Sequence, residues 1–228
     1  MSIRSTTQTH SDHPFAGTRA VLFDLDGTLV ESAIDFRRMR VEIARLAADH
    51  GLSPEEFAAP DVLGMVRAAA ARLPDPRVFL ARAEETMVAI EMAALPGARE
   101  IPGARDLLRS LASAGLAVGI VTRNCRAAAS PLIAAFALQH GVVLTRDDVP
   151  RVKPHPEHLL IAARRLGVPA HATMMVGDHP MDVQGGRAAG MRTVGFLGPD
   201  RPESVFAAAP PDAVIRHLSE IAAWISPF

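Results

Sequence analysis

Ala20-Val21-Leu22-Phe23-Asp24-Leu25-Asp26-Gly27-Thr28 is the stretch on which the fold turns. Four apolar residues in a row, without polar alternation, read as a strand covered on both faces, and such strands belong to parallel sheets. In open sheets of that kind, ligands gather outside the carboxyl ends of the strands. Asp24 and Asp26 stand where this buried strand meets solvent, so two acids two residues apart project from one strand end. Gly27 gives the chain a tight exit, and Thr28 sets a hydroxyl beside the acids. The competing reading is an ordinary polar Asp-Gly turn after a strand.

On the far side of this stretch the pattern turns helical. From about Asp35 to Ala94, Ala, Leu, Met and Ile recur at three- and four-residue spacings. Gly51 closes one helix, Ser53-Pro54-Glu55-Glu56 spells a capping box, Pro60-Asp61 marks a short break, and Asp75-Pro76 opens a last helix that Pro96-Gly97 ends. From Pro102 the texture becomes short helices alternating with short apolar strands, the signature of a doubly wound parallel sheet. Strands are expected at 116–121, 142–144, 173–176, 193–196 and 213–215, with helices at 103–114, 124–138, 156–166 and 181–189. Residues 18–30 and 100–228 then make a sheet core, 31–99 an inserted helical unit, and 1–17, polar and without an apolar run, a disordered tail. Leu95-Pro-Gly-Ala-Arg-Glu100 nearly repeats as Ile101-Pro-Gly-Ala-Arg-Asp106, a small duplication in the returning linker.

Bulk composition narrows the function classes. The 228 residues carry 24 basic and 25 acidic side chains in no blocks, which argues against nucleic acid or a membrane surface as partner. No signal peptide and no apolar stretch of spanning length is read, so the expected location is cytoplasmic. One cysteine, Cys125, excludes an internal disulfide framework and suits a reducing compartment. Monomer and homodimer both stay open.

Four strand ends carry polar groups in order: Asp24 and Asp26, then Thr122-Arg123-Asn124, then Lys153, then Gly177-Asp178-His179-Pro180-Met181-Asp182. Together they resemble the haloacid dehalogenase superfamily, and the helices after the first strand look like the helical cap of its phosphoglycolate phosphatase and beta-phosphoglucomutase relatives. The resemblance implies an α/β fold, a Rossmann-like doubly wound parallel sheet core with an inserted all-helical cap domain that hinges near 30–33 and 95–102. It implies Asp24 as a nucleophile that forms an aspartyl-phosphate and Asp26 as general acid and base, two carboxylates held in different protonation states. Superfamily members that act on carbon lack the second acid, so Asp26 favours phosphorus.

By the same resemblance Thr122 offers its hydroxyl, and Arg123 its backbone N–H, to a phosphoryl oxygen, while the Arg123 side chain can point to solvent. The alternative for Thr122 is a helix cap, a duty Asn124 can also take. Lys153 is the one lysine beside 23 arginines, and it stands where the family keeps its phosphate-neutralising ammonium. A compact ammonium fits between carboxylate and phosphoryl group where a planar fork needs more room. Mg2+ would be held by Asp24, by the Asp26 carbonyl and by Asp178, since hard cations take oxygen ligands; Asp182 would orient water or Lys153 from behind. The alternatives are a helix N-cap for Asp178 and a solvated helix position for Asp182. His179-Pro180 departs from the serine or threonine often found there, and His179 is not read as a ligand.

The expected substrate is a small phosphorylated metabolite, hydrolysed with Mg2+ as cofactor. Arg37, Arg38 and Arg40 could meet a second anionic group, although a solvated helix face explains them more simply. Two alternatives remain: a phosphomutase acting on a sugar phosphate, disfavoured because no lysine stands between 31 and 99, and a non-catalytic binding protein on the same scaffold.

Overall fold

The computed structural model describes residues 15–198 and 201–224, which divide into two compact units. The first unites the described residues up to Glu31 with Arg99–Arg123 and those from Ile133 onward; the second is Ser32–Ala98 with Asn124–Leu132.

In chain order the elements are β1 (Ala20–Phe23), β2 (Val30–Glu31), α1 (Phe36–Asp49), α2 (Val62–Ala70), α3 (Arg77–Ala93), β3 (Arg99–Glu100), α4 (Ala104–Ser113), β4 (Ala117–Val121), α5 (Arg126–Ala135), β5 (Val142–Leu144), α6 (Glu157–Arg165), β6 (Thr173–Gly177), α7 (Pro180–Ala188), β7 (Arg192–Phe196), β8 (Ala213–Ile215) and α8 (Glu220–Trp224).

The first unit is built on a six-stranded sheet in the order β5-β4-β1-β6-β7-β8, with every pairing parallel. All four residues of β1 are fully buried, as an unalternated apolar run in a covered strand requires. From β1 the chain steps outward to β4 and β5, then returns to the opposite side for β6, β7 and β8. That reversal makes β1 the topological switch point, with a crevice at its carboxyl end. Register aligns the neighbours there: Phe23 pairs with Ile120 of β4 and with Val176 of β6, so three strands stop within a residue of one another. A two-stranded antiparallel ribbon pairs Val30 with Glu100 and Glu31 with Arg99, at segments expected only as linkers.

In the second unit α1, α2 and α3 pack around Met39, Ile43, Leu46, Phe57, Phe79 and Met87. Ser53 N–H does donate to Glu56 Oε2 at 2.8 Å, but the box heads a single 3-10 turn, Pro54–Phe57. Asp61 caps α2 by accepting from Gly64 N at 3.0 Å. Residues 124–132, which the sequence pattern groups with the sheet, cluster with these helices. Glu91 of α3 explains the attachment: its Oε2 accepts from Cys125 N at 3.0 Å at the entrance to α5.

Of the expected tail, residues 1–14 lie outside the described residues. Phe15 to Gly17 belong to the folded chain, because Phe15 is buried and stacks on Trp224 with ring centroids 4.8 Å apart. Among the described residues no helix is long and apolar enough to cross a membrane.

Candidate active site

The loop after β1 is shaped by one carbonyl. Leu25 O accepts from both Leu29 N and Val30 N at 2.9 Å, which curls residues 26–30 back over the strand end. Gly27 makes the curl possible with φ +80°. A Cβ there would lie 2.7 Å from Cγ of Asp178, so its absence also lets the end of β6 close on the loop. Thr28 is fully buried, and its hydroxyl donates to Asp178 Oδ1 at 3.4 Å.

Lys153 arrives from the loop after β5 and is 1% exposed. Its Nζ donates to Asp24 Oδ1 at 2.8 Å, meets Asp182 Oδ1 at 2.7 Å, and donates to Val121 O at the end of β4 at 2.7 Å. Three acceptors satisfy the three protons of an ammonium. Burial works against the Lys153 charge, but the carboxylates of Asp182 and Asp24 outweigh it and hold its pKa above the ordinary value.

The acids respond to the same burial. It pushes Asp24 up to about 6, with the Lys153 charge pulling down and the Asp182 carboxylate pushing up. Burial likewise raises Asp178, with the Asp24 charge adding to it and Arg201 opposing. Asp182, at 2% exposure, is raised by burial against the pull of Lys153. A Cβ on Gly177 would overlap the Asp182 carboxyl, so the glycine at the end of β6 makes room for that acid.

These contacts decide several alternatives. The N-cap of α7 is His179, whose Nδ1 accepts from Met181 N at 3.2 Å, and this leaves Asp178 without capping duty. Asp182 is no solvated helix residue: its Oδ2 accepts from His179 N at 3.1 Å while Oδ1 holds Lys153. At α5 the sulfur of Cys125 accepts from Ala128 N at 3.4 Å in the first turn of the helix. Thr122 is buried directly past the end of β4, with its N–H donating to Leu144 O at 2.9 Å. The Arg123 side chain does not run to solvent; it is half-buried with Nη1 against Sδ of Met181. Asp26 is half-buried in the loop and bridges to Val30. Arg40, in the other unit, is tied to Pro60 O at 2.9 Å and Ala59 O at 3.0 Å.

Oxygens of Asp24, Asp178 and Asp182 lie within 4.8 Å of one another, an all-oxygen donor set that fits a hard divalent ion. All three acids are already engaged: Asp24 with Lys153, Asp178 with Thr28 and Arg201, and Asp182 with Lys153 and the N–H of His179. Sequence reasoning missed Arg201, whose Nη1 pairs with Asp178 Oδ2. It follows β7, the strand beside β6, and that adjacency was its only signal.

Carboxylates and an ammonium gathered at the switch point of a parallel sheet define a class: an α/β enzyme working at the carboxyl ends of its strands. Comparison with known proteins gives the family within it. The chain matches the model of the haloacid dehalogenase-like hydrolases over residues 18–190 and belongs to that family. It is 33% identical over 222 residues to the N-acetylmuramic acid 6-phosphate phosphatase of Pseudomonas aeruginosa, covering 89% of this chain and 92% of that protein. It is 28% identical to the phosphoglycolate phosphatase of Shigella dysenteriae, over 91% of this chain and 92% of the relative. The crystal structure of a hydrolase from Pseudomonas syringae shares the fold with a TM-score of 0.68 at 23% identity, over 90% of this chain and 97% of that one.

Proposed function

We propose that this chain is a cytoplasmic Mg2+-dependent phosphatase that hydrolyses a small-molecule phosphomonoester through an aspartyl-phosphate on Asp24. The observation that carries the reading is Lys153, buried and bonded at once to Asp24, Asp182 and the end of β4. An ammonium so held gives fixed positive charge where a phosphoryl group would meet Asp24, without reorganisation during reaction. Family membership supports hydrolysis, and the named substrates of two relatives are both phosphomonoesters that also carry a carboxylate.

In this reading one oxygen of Asp24 attacks phosphorus, the ester P–O bond breaks, and Asp26 gives its proton to the leaving oxygen. Asp26 then takes a proton from the water that attacks the aspartyl-phosphate, releasing inorganic phosphate and restoring Asp24. Thr122 and the N–H of Arg123 steady the phosphoryl oxygens, and Asp182 keeps Lys153 aimed. Mg2+, held by Asp24, the Asp26 carbonyl and Asp178, would neutralise charge on the transferred group.

The test is phosphate release with Mg2+ from p-nitrophenyl phosphate and a metabolite panel that includes phosphoglycolate and N-acetylmuramic acid 6-phosphate, with Asp24→Asn as control. Turnover by the native chain and none by the variant is the expected result. Equal release by the two proteins would overturn the reading, and clean sugar-phosphate isomerisation without release would replace it with a mutase.

A further inference from the structure

The site holds two cations with different standing. Lys153 is 1% exposed and satisfied by three acceptors, so it cannot leave without stranding buried carboxylates. Arg201 is bound to Asp178 alone among these acids, and its side chain is 37% exposed. It sits on a loop past β7, held through its backbone: its N–H donates to Gly198 O at 3.1 Å, and Arg216 Nη1 donates to its carbonyl at 3.5 Å. A guanidinium anchored in this way can exchange its carboxylate for water while the chain stays in place.

Charge explains why it is there. The carboxylates of Asp24, Asp178 and Asp182 crowd within 4.8 Å, and Lys153 pairs with Asp24 and Asp182. Asp178 faces the Asp24 charge and takes its compensation from Arg201. A divalent ion bound to Asp178 supplies that compensation itself and repels a guanidinium on the same carboxylate.

We propose that Arg201 is the site's internal counter-cation: it occupies Asp178 in the metal-free chain, is displaced when a divalent ion binds, and thereby weakens the chain's apparent affinity for the ion. The inference rests on reading this cleft as a divalent-ion site. Arg201 is then a positioning residue that acts through Asp178, and metal affinity is its proper readout.

The experiment is Mn2+ binding to the full chain, with free ion counted by electron paramagnetic resonance at fixed ionic strength, for the native protein, Arg201→Ala and Arg187→Ala. Arg201→Ala is expected to bind Mn2+ about three- to tenfold more tightly, the range for losing one half-exposed competing ion pair. Arg187→Ala, which removes an exposed charge on α7 that is tied to Pro210 O at 3.2 Å and leaves the guanidinium on Asp178, is expected to stay within about twofold. Thermal melting adds a second readout: metal-free Arg201→Ala should melt below the native chain and gain more from saturating Mn2+. Unchanged or weaker binding by Arg201→Ala, or equal tightening by Arg187→Ala, would overturn the proposal while leaving the metal site standing. Absence of Mn2+ binding by the native chain would overturn both.

Discussion

Lys153 works by shape as much as by charge. Its three partners stand 2.7 to 2.8 Å from one nitrogen, directly after β1, on β4 and on α7, so one point charge ties together three elements that meet at the switch point. A guanidinium spreads its donors over a planar fork and cannot offer three bonds from a single atom in a fully buried space. Lys153→Arg is therefore expected to keep the fold, seen as an unchanged far-ultraviolet dichroism spectrum, and to lose at least about a hundredfold in kcat through displacement of Asp24. Near-native turnover would show that charge alone suffices there. This residue was legible because the chain spends arginine everywhere else. Arg201 was not, since it is one of 23 arginines and stands 23 residues beyond the acid it pairs with. Nothing in spacing joins the two positions; only the packing of β7 beside β6 does.

At the scale of elements, apolar runs and glycines carried most of the reading. β1 and β5 fall where unalternated apolar residues put them, since a covered strand tolerates little else, and β8 falls on its apolar run as an edge strand with Val214 exposed. The duplicated linker shows where letters stop deciding. Leu95-Pro-Gly becomes a 3-10 turn running into β3, whereas Ile101-Pro-Gly becomes the turn that opens α4. Val30 and Glu31 available for pairing make a strand of the first copy, and that partner is remote in sequence. Gly27 tests how far a loop can be separated from the strand end it serves. Gly115, also at positive φ with +81°, has no atom within 4 Å of a Cβ built on it. Gly115→Ala is expected to cost about 1 kcal/mol for the left-handed backbone and to leave turnover intact. Gly27→Ala adds a collision with Asp178 and is expected to cost about 2 to 3 kcal/mol in urea denaturation and to abolish phosphate release. Equal effects of the two substitutions would mean that the close approach of β6 to the loop has no consequence.

For the molecule as a whole, net charge is -1, yet the sheet unit buries Lys153, His158 and Asp182 in its interior. Their contributions to stability run in opposite directions with pH. Asp24, Asp178 and Asp182 are raised, so their stabilisation is full at acid pH and is lost as pH climbs, for Asp24 through about 6. His158 on α6 is fully buried, and burial, then the Lys153 charge, pushes its imidazole from 6.5 down to about 3. The unfolded chain takes up that proton below its ordinary pKa while the folded chain refuses it. Stability from a neutral His158 is thus complete above 6.5 and falls away between 6.5 and about 3. Replacing His158 by leucine removes this acid penalty and leaves the carboxylates in place. Trp224, the single tryptophan, stacks on Phe15 in the same unit and reports its unfolding. Metal-free urea titrations followed by its fluorescence at pH 7.5 and 5.0 should find His158→Leu gaining about 2 kcal/mol on the native chain between the two pH values, one proton over about 1.5 pH units. The comparison cancels whatever the leucine costs in packing, because that cost is common to both pH values. A constant difference across the interval would mean that the folded chain takes up a proton at His158 as readily as the unfolded one, and the burial argument at α6 would fail with it.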